Sequence, residues 1–155
     1  MTDIADPIAE PIAEPVDDSA EAYRLDDQVG FLLRRAQQRH LAIFAARIPE
    51  LTPTQFAAIA KAFDLGPVSQ AELGRATAMD AATIKGVIDR LEARGLVRTA
   101  PCGDDRRRVL VRLTAEGARL FADVAARAAE ISAETLAPLT PGERASLLRL
   151  LRKVG

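Results

Sequence analysis

Cysteine, histidine and the large aromatic residues are scarce in this chain. Among its 155 residues there is one cysteine, one histidine, one tyrosine and no tryptophan. A single cysteine, Cys102, excludes a disulfide within the chain and a zinc site built from several cysteines. With His40 as the only histidine, no metal-ligand cluster and no catalytic serine, histidine and carboxylate set emerges from the spacing. We therefore expect no enzyme, no bound metal and no cofactor.

Long apolar runs are also missing, although 48% of the residues are hydrophobic, which is enough to build a core. No stretch of about 18 apolar residues exists that would cross a membrane. No basic and apolar leader of the kind that directs secretion opens the chain. The length suits one domain with appendages, and together these features predict a cytoplasmic protein.

Charge is distributed unevenly along the chain. Residues 1–27 contain nine acids and one base, Arg24, and so carry −8; the total of −1 therefore leaves +7 for the remaining 128 residues. The near-neutral total hides a basic body behind an acidic leader. A basic body is the expected footprint of a partner made of phosphates, which points to nucleic acid.

Residues 1–19 have low complexity, because the sequence Pro-Ile-Ala-Glu at 7–10 repeats at 11–14 and Pro15 follows. Prolines every four residues forbid regular helix and sheet, and the acids repel one another. We expect a disordered acidic tail in front of a single domain over residues 20–155. Whether the tail also competes with DNA for the basic body stays open.

Six helices are predicted from apolar periodicity and from the residues that begin and end helices. Capping boxes at Thr52, Ser69 and Thr140 mark three starts, where the hydroxyl accepts from the N3 amide and the N3 side chain reaches back. Asp80 is the expected N-cap of another helix, which Gly95 ends. The predicted ranges are 20–47, 53–64, 70–76, 81–94, 115–136 and 141–153.

Two short strands are predicted between the fourth and fifth helices, at about 96–100 and 108–113, joined by the loop 102–107. Apolar side chains alternate in the second strand, as in a half-buried strand. A short helix, a turn, a second helix and a basic hairpin are together typical of a winged helix-turn-helix that reads DNA. The predicted fold class is mainly α with a small two-stranded β wing.

The first helix and the last two helices flank this reading unit, and their apolar stripes have little else to cover them. They favour a two-fold homodimer in which residues 20–48 and 114–155 form the dimerisation helices. Residues 52–113 then form the DNA-binding unit. A monomer in which these helices make one layer is the alternative.

Two motifs carry a resemblance to a known family. Leu-Glu-Ala-Arg-Gly-Leu-Val at 91–97 ends the second helix of the reading unit, and Asp105-Arg106-Arg107 precedes Val-Leu-Val-Arg-Leu-Thr at 109–114. With these motifs the chain resembles the MarR family of winged helix-turn-helix regulators over about residues 25–153. Residues 25–40 and 79–86 look like the branch that includes repressors of nicotinate and other aromatic-acid catabolism. The resemblance implies a homodimeric repressor that binds a pseudo-palindromic operator in double-stranded DNA and is released by a small aromatic acid.

Candidate DNA contacts lie at the starts of the two reading-unit helices, at Arg90 roughly two turns further along the second helix, where phosphates would lie, and on the hairpin. Small side chains at the start of helix 81–94 would let it enter the major groove, where Thr83 and Lys85 reach bases or phosphates. Hairpin arginines suit the narrow, negative minor groove, and the resemblance suggests that Asp105 and Arg107 partly hold the wing. The candidates are Ser69, Gln70, Asp80, Ala81, Ala82, Thr83, Lys85, Arg90, Asp105, Arg106, Arg107 and Arg108. An ordinary solvated helix face is the alternative for the helical part.

His40 lies on the apolar stripe of the first helix, with Arg39 beside it and Phe31 and Phe44 on nearby turns. A cation, an imidazole and aromatic walls are what a small aromatic carboxylate needs. The resemblance places such pockets between the dimer helices and the reading unit. We therefore predict an effector site at these four residues; the alternative is a hydrogen-bonded core histidine.

Two other regulatory hypotheses stay open. Cys102 lies in the wing near several arginines, which favour a reactive thiolate and hence a redox-responsive regulator. The second hypothesis is an effector-independent DNA-binding protein. Such a protein would not need His40 and Arg39 in their places. A binding titration with and without candidate aromatic acids separates this last hypothesis from a ligand-controlled repressor.

Overall fold

A computed structural model describes residues 22–103 and 109–155 of the chain. The predicted acidic tail and four of the candidate DNA contacts, Asp105, Arg106, Arg107 and Arg108, lie outside these ranges. The chain divides into two compact units, residues 1–37 and residues 38–155. No helix within the described ranges is both long and apolar enough to cross a bilayer.

The described residues form six α-helices and three short strands, and a 3-10 turn at Leu25–Asp27 precedes the first helix. The mainly helical class is confirmed, and apart from the start of the first helix every boundary falls within one residue of the prediction. The helices are α1 Val29–Arg47, α2 Pro53–Leu65, α3 Gln70–Ala76, α4 Ala81–Ala93, α5 Ala115–Thr135 and α6 Pro141–Val154; the strands are β1 Val68–Ser69, β2 Val97–Pro101 and β3 Val109–Leu113.

The predicted start of the first helix is wrong, because α1 begins at Val29 and not near residue 20. Gln28 has extended backbone angles, φ −82° and ψ 130°, and its backbone N–H donates to the carbonyl of Leu25 over 3.0 Å. An extended residue interrupts the helical hydrogen-bond ladder. Apolar periodicity continues through Leu25 and therefore does not reveal this break.

The sheet has three antiparallel strands in the order β1-β3-β2, so the predicted two-stranded wing missed β1. β1 contains only Val68 and Ser69, which lie opposite Val111 and Leu110 of β3. Two residues are too few to show an alternating pattern.

The three predicted capping boxes form to different extents. At Ser69 half of the box forms among the described residues, since the hydroxyl accepts from the N–H of Glu72 over 3.3 Å. The boxes at Thr52 and Thr140 are complete.

The core of residues 38–155 lies where α2, α4 and the sheet meet α5. Ile59 of α2, Val111 of β3 and Val124 of α5 have no exposed surface. The other buried apolar side chains are Phe44, Ile48, Leu51, Ala58, Ala62, Val68, Leu73, Ile84, Val87, Ile88, Leu91, Leu96, Val97 and Ile131. Burial of this set holds α4 on the sheet and leaves its opposite face uncovered.

Four phenylalanines form a continuous row that begins in this core at Phe44. The ring centroids of Phe44 and Phe56 are 5.8 Å apart, and those of Phe56 and Phe121 are 6.0 Å apart. Phe63 continues the row at 4.8 Å from Phe121. These separations lie in the range where aromatic rings attract one another, so the row links α1, α2 and α5.

The turn after α4 joins three elements. Gly95 has a φ of +73°, a left-handed conformation that glycine adopts without strain, and the N–H of Leu96 donates to the carbonyl of Leu91 over 3.0 Å. The hydroxyl of Thr114 donates to the carbonyl of Gly95 over 2.7 Å, and the carbonyl of Leu96 accepts from the N–H of Thr114 over 3.1 Å. A Cβ on Gly117 would lie only 2.1 Å from this carbonyl oxygen, so α5 approaches the turn closely.

Gly117→Ala is therefore expected to lower the free energy of unfolding by about 1–3 kcal/mol, because overpacking outweighs the roughly 1 kcal/mol helix preference for alanine. Urea denaturation measures the effect. The matched control is Gly142→Ala in the first turn of α6, where an added Cβ has no atom within 4 Å. The control should be neutral or slightly stabilising, and equal stability of the two variants would contradict the close approach.

Candidate nucleic-acid interface and ligand pocket

α4 has one buried and one exposed face, as a helix that lies on a core and reaches outward must have. Ile84, Val87, Ile88 and Leu91 are buried on the core. The helical candidates for DNA contact are all exposed on the rest of the helix: Ala81, Ala82, Thr83, Lys85 and Arg90. The structure thus brings these side chains together on a surface where no other element of the described chain covers them.

Asp80 caps the start of this helix as predicted. One carboxylate oxygen accepts from the N–H of Thr83 over 2.8 Å, and the other accepts from the hydroxyl of Thr83 over 2.9 Å. These bonds, the backbone one first, lower the pKa of Asp80 from its ordinary 3.8. Because an ionised carboxylate has no proton to give, the hydroxyl of Thr83 must be the donor, and its lone pairs remain for a donor on a partner.

Lys85 makes an ion pair within α4, at 2.6 Å from the carboxylate of Asp89 one turn later. Both side chains are more than half exposed, and such pairs contribute little net free energy. A phosphate can therefore replace Asp89 at little cost.

Ser69 differs from the other candidates, because it is buried, with 6% of its surface exposed, and its hydroxyl caps α3. Gln70 beside it is half-buried.

Arg98 and Arg112 are further candidates that sequence reasoning missed. The two arginines lie directly opposite each other on β2 and β3, and both are exposed. Like charges in this position repel each other across the strands. Only the strand register reveals the pairing, and a register is not readable from residues 14 positions apart. Two facing cations would attract an anionic partner.

His40 makes a hydrogen bond whose direction can be derived. Its Nδ1 lies 3.0 Å from the hydroxyl oxygen of Thr135, and that hydroxyl donates its single proton to the carbonyl of Ile131 over 2.8 Å. The donor in the first bond must therefore be Nδ1–H of His40. In the neutral imidazole this leaves Nε2 as an acceptor.

Half-buried His40 lines a cavity of about 230 Å³ within residues 38–155. This volume is below the roughly 300–1,000 Å³ of sites for drug-sized ligands, so it suits a ligand with a single ring. The lining side chains are mostly apolar and aromatic, with one imidazole and one hydroxyl: His40, Phe44, Pro53, Phe56, Ala128, Ile131 and Ser132. Two of the four residues predicted for effector binding, His40 and Phe44, are thus brought together here.

Arg39 is engaged elsewhere. Its guanidinium donates to the carbonyls of Glu134 and Thr135, over 3.1 Å and 3.3 Å. These are carbonyls of the last turn of α5, which have no partner inside the helix. Arg39 therefore caps α5. Phe31 belongs to the other unit of the chain, where the guanidinium of Arg35 lies 5.9 Å from its ring centroid.

Ion pairs also attach the end of α1 to α5. Arg47 contacts Glu130 at 2.6 Å and Glu134 at 2.7 Å, and the hydrogen bond that it donates to Glu134 raises the pKa of Arg47. Arg127 contacts Glu50 at 2.9 Å, and this hydrogen bond lowers the pKa of Glu50. The side of α1 that faces the cavity is thereby held against the last three turns of α5.

A larger cavity of about 490 Å³ shares Phe44 and Pro53 with the first, but it offers no ionisable side chain. Its lining residues are Leu41, Phe44, Ala45, Ile48, Pro49, Leu51, Thr52 and Pro53. The smaller cavity has one ionisable side chain, the imidazole of His40, and is therefore the better candidate for a polar ligand. Within residues 22–103 and 109–155 no group of three metal-ligating side chains is found, and Cys102 is a free, half-buried thiol.

Comparison with known proteins finds one family and several similar transcriptional regulators. The profile of the MarR family matches residues 51–109. The HTH-type transcriptional repressor NicR of Pseudomonas putida is 48% identical over 134 residues, which are 85% of this chain and 85% of NicR.

Two solved structures share the fold over most of the chain. One is BpsR of Bordetella bronchiseptica, reported with the mechanism by which 6-hydroxynicotinic acid regulates its DNA binding; it is 44% identical, with a TM-score of 0.82 over 85% of this chain and 96% of BpsR. The other is the regulator PcaV of Streptomyces coelicolor in complex with its natural ligand, which is 33% identical, with a TM-score of 0.82 over 85% of this chain and 94% of PcaV.

The cap at Asp80 predicts a pH-dependent stability. Because the folded-state pKa is lowered, the carboxylate stabilises the fold above its ordinary pKa of 3.8, and this contribution disappears as the pH falls through the lower folded value. Asp80→Asn should therefore melt at a lower temperature than the parent at pH 7, and the difference should shrink as the pH falls below 3.8. Thermal melts across this range test it; a difference that persists unchanged at the acid end would contradict the assignment.

Proposed function

This chain belongs to the MarR family, and from that premise we propose that it is a transcriptional repressor that binds double-stranded DNA as a homodimer. The identity of 48% with NicR over 85% of both chains establishes the family, and the resemblance drawn from residues 25–153 is confirmed. The proposal assigns the protein to the cytoplasm, where its DNA lies, and gives it no catalytic step.

The exposed face of α4 is the observation that carries the DNA-binding proposal. Its small residues Ala81 and Ala82 let the helix approach base edges, and Lys85 and Arg90 supply cations for phosphates. Asp80, the N-cap of α4, and the hydroxyl oxygen of Thr83 can accept hydrogen bonds. Such acceptors suit the exocyclic amino groups of adenine or cytosine. We assign residues 52–113 to the DNA-binding unit, in which the hairpin arginines 106–108 reach the adjacent minor groove.

Exposed apolar side chains support the homodimer. In α6 no residue is buried, and Leu148, Leu150 and Leu151 keep 42%, 48% and 42% of their surfaces exposed. In the first unit Val29 at the start of α1 is 70% exposed. Monomeric proteins rarely leave such helices uncovered. We assign residues 20–48 and 114–155 to the two-fold interface, which would present two copies of α4 to a pseudo-palindromic operator.

The homodimer makes a measurable prediction. Light scattering at micromolar concentration should give twice the mass of one 16.7 kDa chain. Replacement of Leu148 and Leu151 together by glutamate should yield monomers that bind DNA more weakly, because two linked half-sites are no longer engaged at once. A stable monomer from the parent protein would overturn the proposal; Lys153→Glu in the same helix is the charge control.

We propose further that a small hydroxylated aromatic carboxylate releases the repressor by binding beside His40. The cavity has aromatic walls at Phe44 and Phe56, and the Nε2 acceptor of His40 suits a ligand hydroxyl or ring N–H. The 6-hydroxynicotinic acid of BpsR is an acid of this class. Arg39, which lies next to His40 and caps α5, is the candidate cation for the ligand carboxylate.

Release requires that the ligand prefer one arrangement of the dimer over another. The cavity lies between α1, α2 and the last turns of α5, and the same turns are bound by Arg39 and Arg47. A ligand that moves these helices changes the spacing of the two α4 helices in the dimer. The expected coupling is about 1–3 kcal/mol, which corresponds to roughly 5–150-fold in DNA affinity.

His40→Ala should keep the fold and DNA binding while it loses the response to 6-hydroxynicotinate. In the parent, nicotinate should act more weakly than 6-hydroxynicotinate, because it lacks the hydroxyl or ring N–H that would donate a hydrogen bond to Nε2 of His40. DNA-binding titrations with each acid measure both effects. Arg35→Ala, in the other unit of the chain, is the matched control. A His40→Ala protein that responds like the parent would contradict the site, and one that unfolds would favour the structural role of His40.

DNA-binding titrations also test two alternative forms of control, one with the aromatic acids and one with an oxidant. If no aromatic acid changes the affinity, the protein is an effector-independent DNA binder. If an oxidant releases DNA from the parent but not from Cys102→Ser, control is redox-responsive.

A further inference from the structure

Glu92, near the end of α4, makes contacts that DNA binding by α4 alone does not require. One oxygen of its carboxylate accepts from the backbone N–H of Thr99 over 2.7 Å and from the Thr99 hydroxyl over 2.8 Å. The other oxygen lies 3.0 Å from the same hydroxyl. A carboxylate with three such short contacts holds its partner more firmly than a neutral group would.

The position of Thr99 in the sheet explains what these bonds do. Thr99 is the middle residue of β2, and β2 is an edge strand of the sheet. On its outer side the N–H groups have no neighbouring strand to bind. Glu92 takes the place of that strand, so the wing is attached to α4 at mid-strand as well as at the turn.

Alternation along β2 relates Glu92 to the arginines of the wing. Successive side chains of a strand point to opposite faces, so Arg98 lies on the face opposite to Thr99. Arg112 lies across from Arg98 on β3, and both are exposed. Their mutual repulsion favours a splayed hairpin, whereas the bonds from Glu92 oppose it by fixing the other face.

We propose that Glu92 is a positioning residue for DNA binding, which sets the angle of the wing so that Arg98 and Arg112 meet the phosphates beside the groove occupied by α4. The proposal rests on the DNA-binding function proposed above. It also assigns a task to an acid whose own charge would repel DNA. Glu92 acts through Thr99 and touches no DNA itself.

The sign of the effect distinguishes this task from simple electrostatics. Removal of an acid beside a DNA-binding surface normally tightens binding, because the repulsion of phosphates is relieved. Removal of Glu92 should instead weaken binding, since the two arginines are no longer held in alignment. Asp89 is the matched control: it lies on the same helix, pairs only with Lys85 among the described residues, and its removal should tighten binding or leave it unchanged.

The test compares the full-length parent with Glu92→Ala, Glu92→Gln and Asp89→Ala on a duplex that the parent selects from random DNA. Glu92→Ala should bind roughly tenfold more weakly. The slope of log affinity against log salt should fall by about 0.9 for each phosphate that an arginine no longer neutralises, up to about 1.8 for both arginines. Discrimination against a duplex with one base changed in the α4 half-site should stay as in the parent. Glu92→Gln, which keeps one acceptor oxygen, should recover part of the affinity.

Binding by Glu92→Ala that equals or exceeds that of the parent, or an unchanged salt slope, overturns the proposal. If Glu92→Ala does not fold, as thermal melts would reveal, Thr99→Val decides: it removes one donor only and should weaken binding in the same direction, and an unchanged affinity and slope overturn the proposal. A parent that selects no DNA overturns the proposed function itself, together with this inference.

Discussion

The peptide group of Leu96 fixes the relative orientation of α4, β2 and α5, on which the rest of the structure depends. Its N–H closes the turn after α4 by donating to the carbonyl of Leu91, and its carbonyl accepts from the N–H of Thr114. β2 begins one residue later, and α5 begins directly after Thr114 and passes this carbonyl at Gly117. One peptide therefore fixes where α4 ends, where the wing starts and how α5 departs from both.

The opposite end of α5 is attached to α1 by polar contacts. His40 donates to Thr135, Arg39 caps the last carbonyls, and Arg47 pairs with Glu130 and Glu134. α5 has 21 residues and so is about 30 Å long. The cavity beside His40 lies near one end of this helix, and the turn at Leu96 lies at the other. A displacement of the helix at the cavity therefore reaches the wing through a single continuous element.

The sequence predicted the helices well because their start and stop signals are local. Thr52 and Thr140 cap their own helices, and Gly95 ends α4 in the conformation that glycine favours. The failures were non-local or depended on backbone angles: β1 exists only because β3 pairs with it, and Gln28 breaks the helix without a change in apolar pattern. The exposed face of α4 followed from helical periodicity, whereas the pairing of Arg98 with Arg112 depends on strand register. The contact between Arg39 and α5 spans 95 residues or more, a distance at which spacing carries no information.

The row of phenylalanines limits how the cavity beside His40 can change during evolution. Phe44 and Phe56 are walls of the cavity and at the same time members of a packed row that continues through Phe121. A substitution that enlarges the cavity at either ring also removes packing from the interior, where a loss of volume is costly. Ala128 and Ser132 line the same cavity on exposed or half-exposed surface of α5. The shape of the cavity would therefore change in descendants of this protein through these two small positions, while the aromatic walls stay constrained by folding.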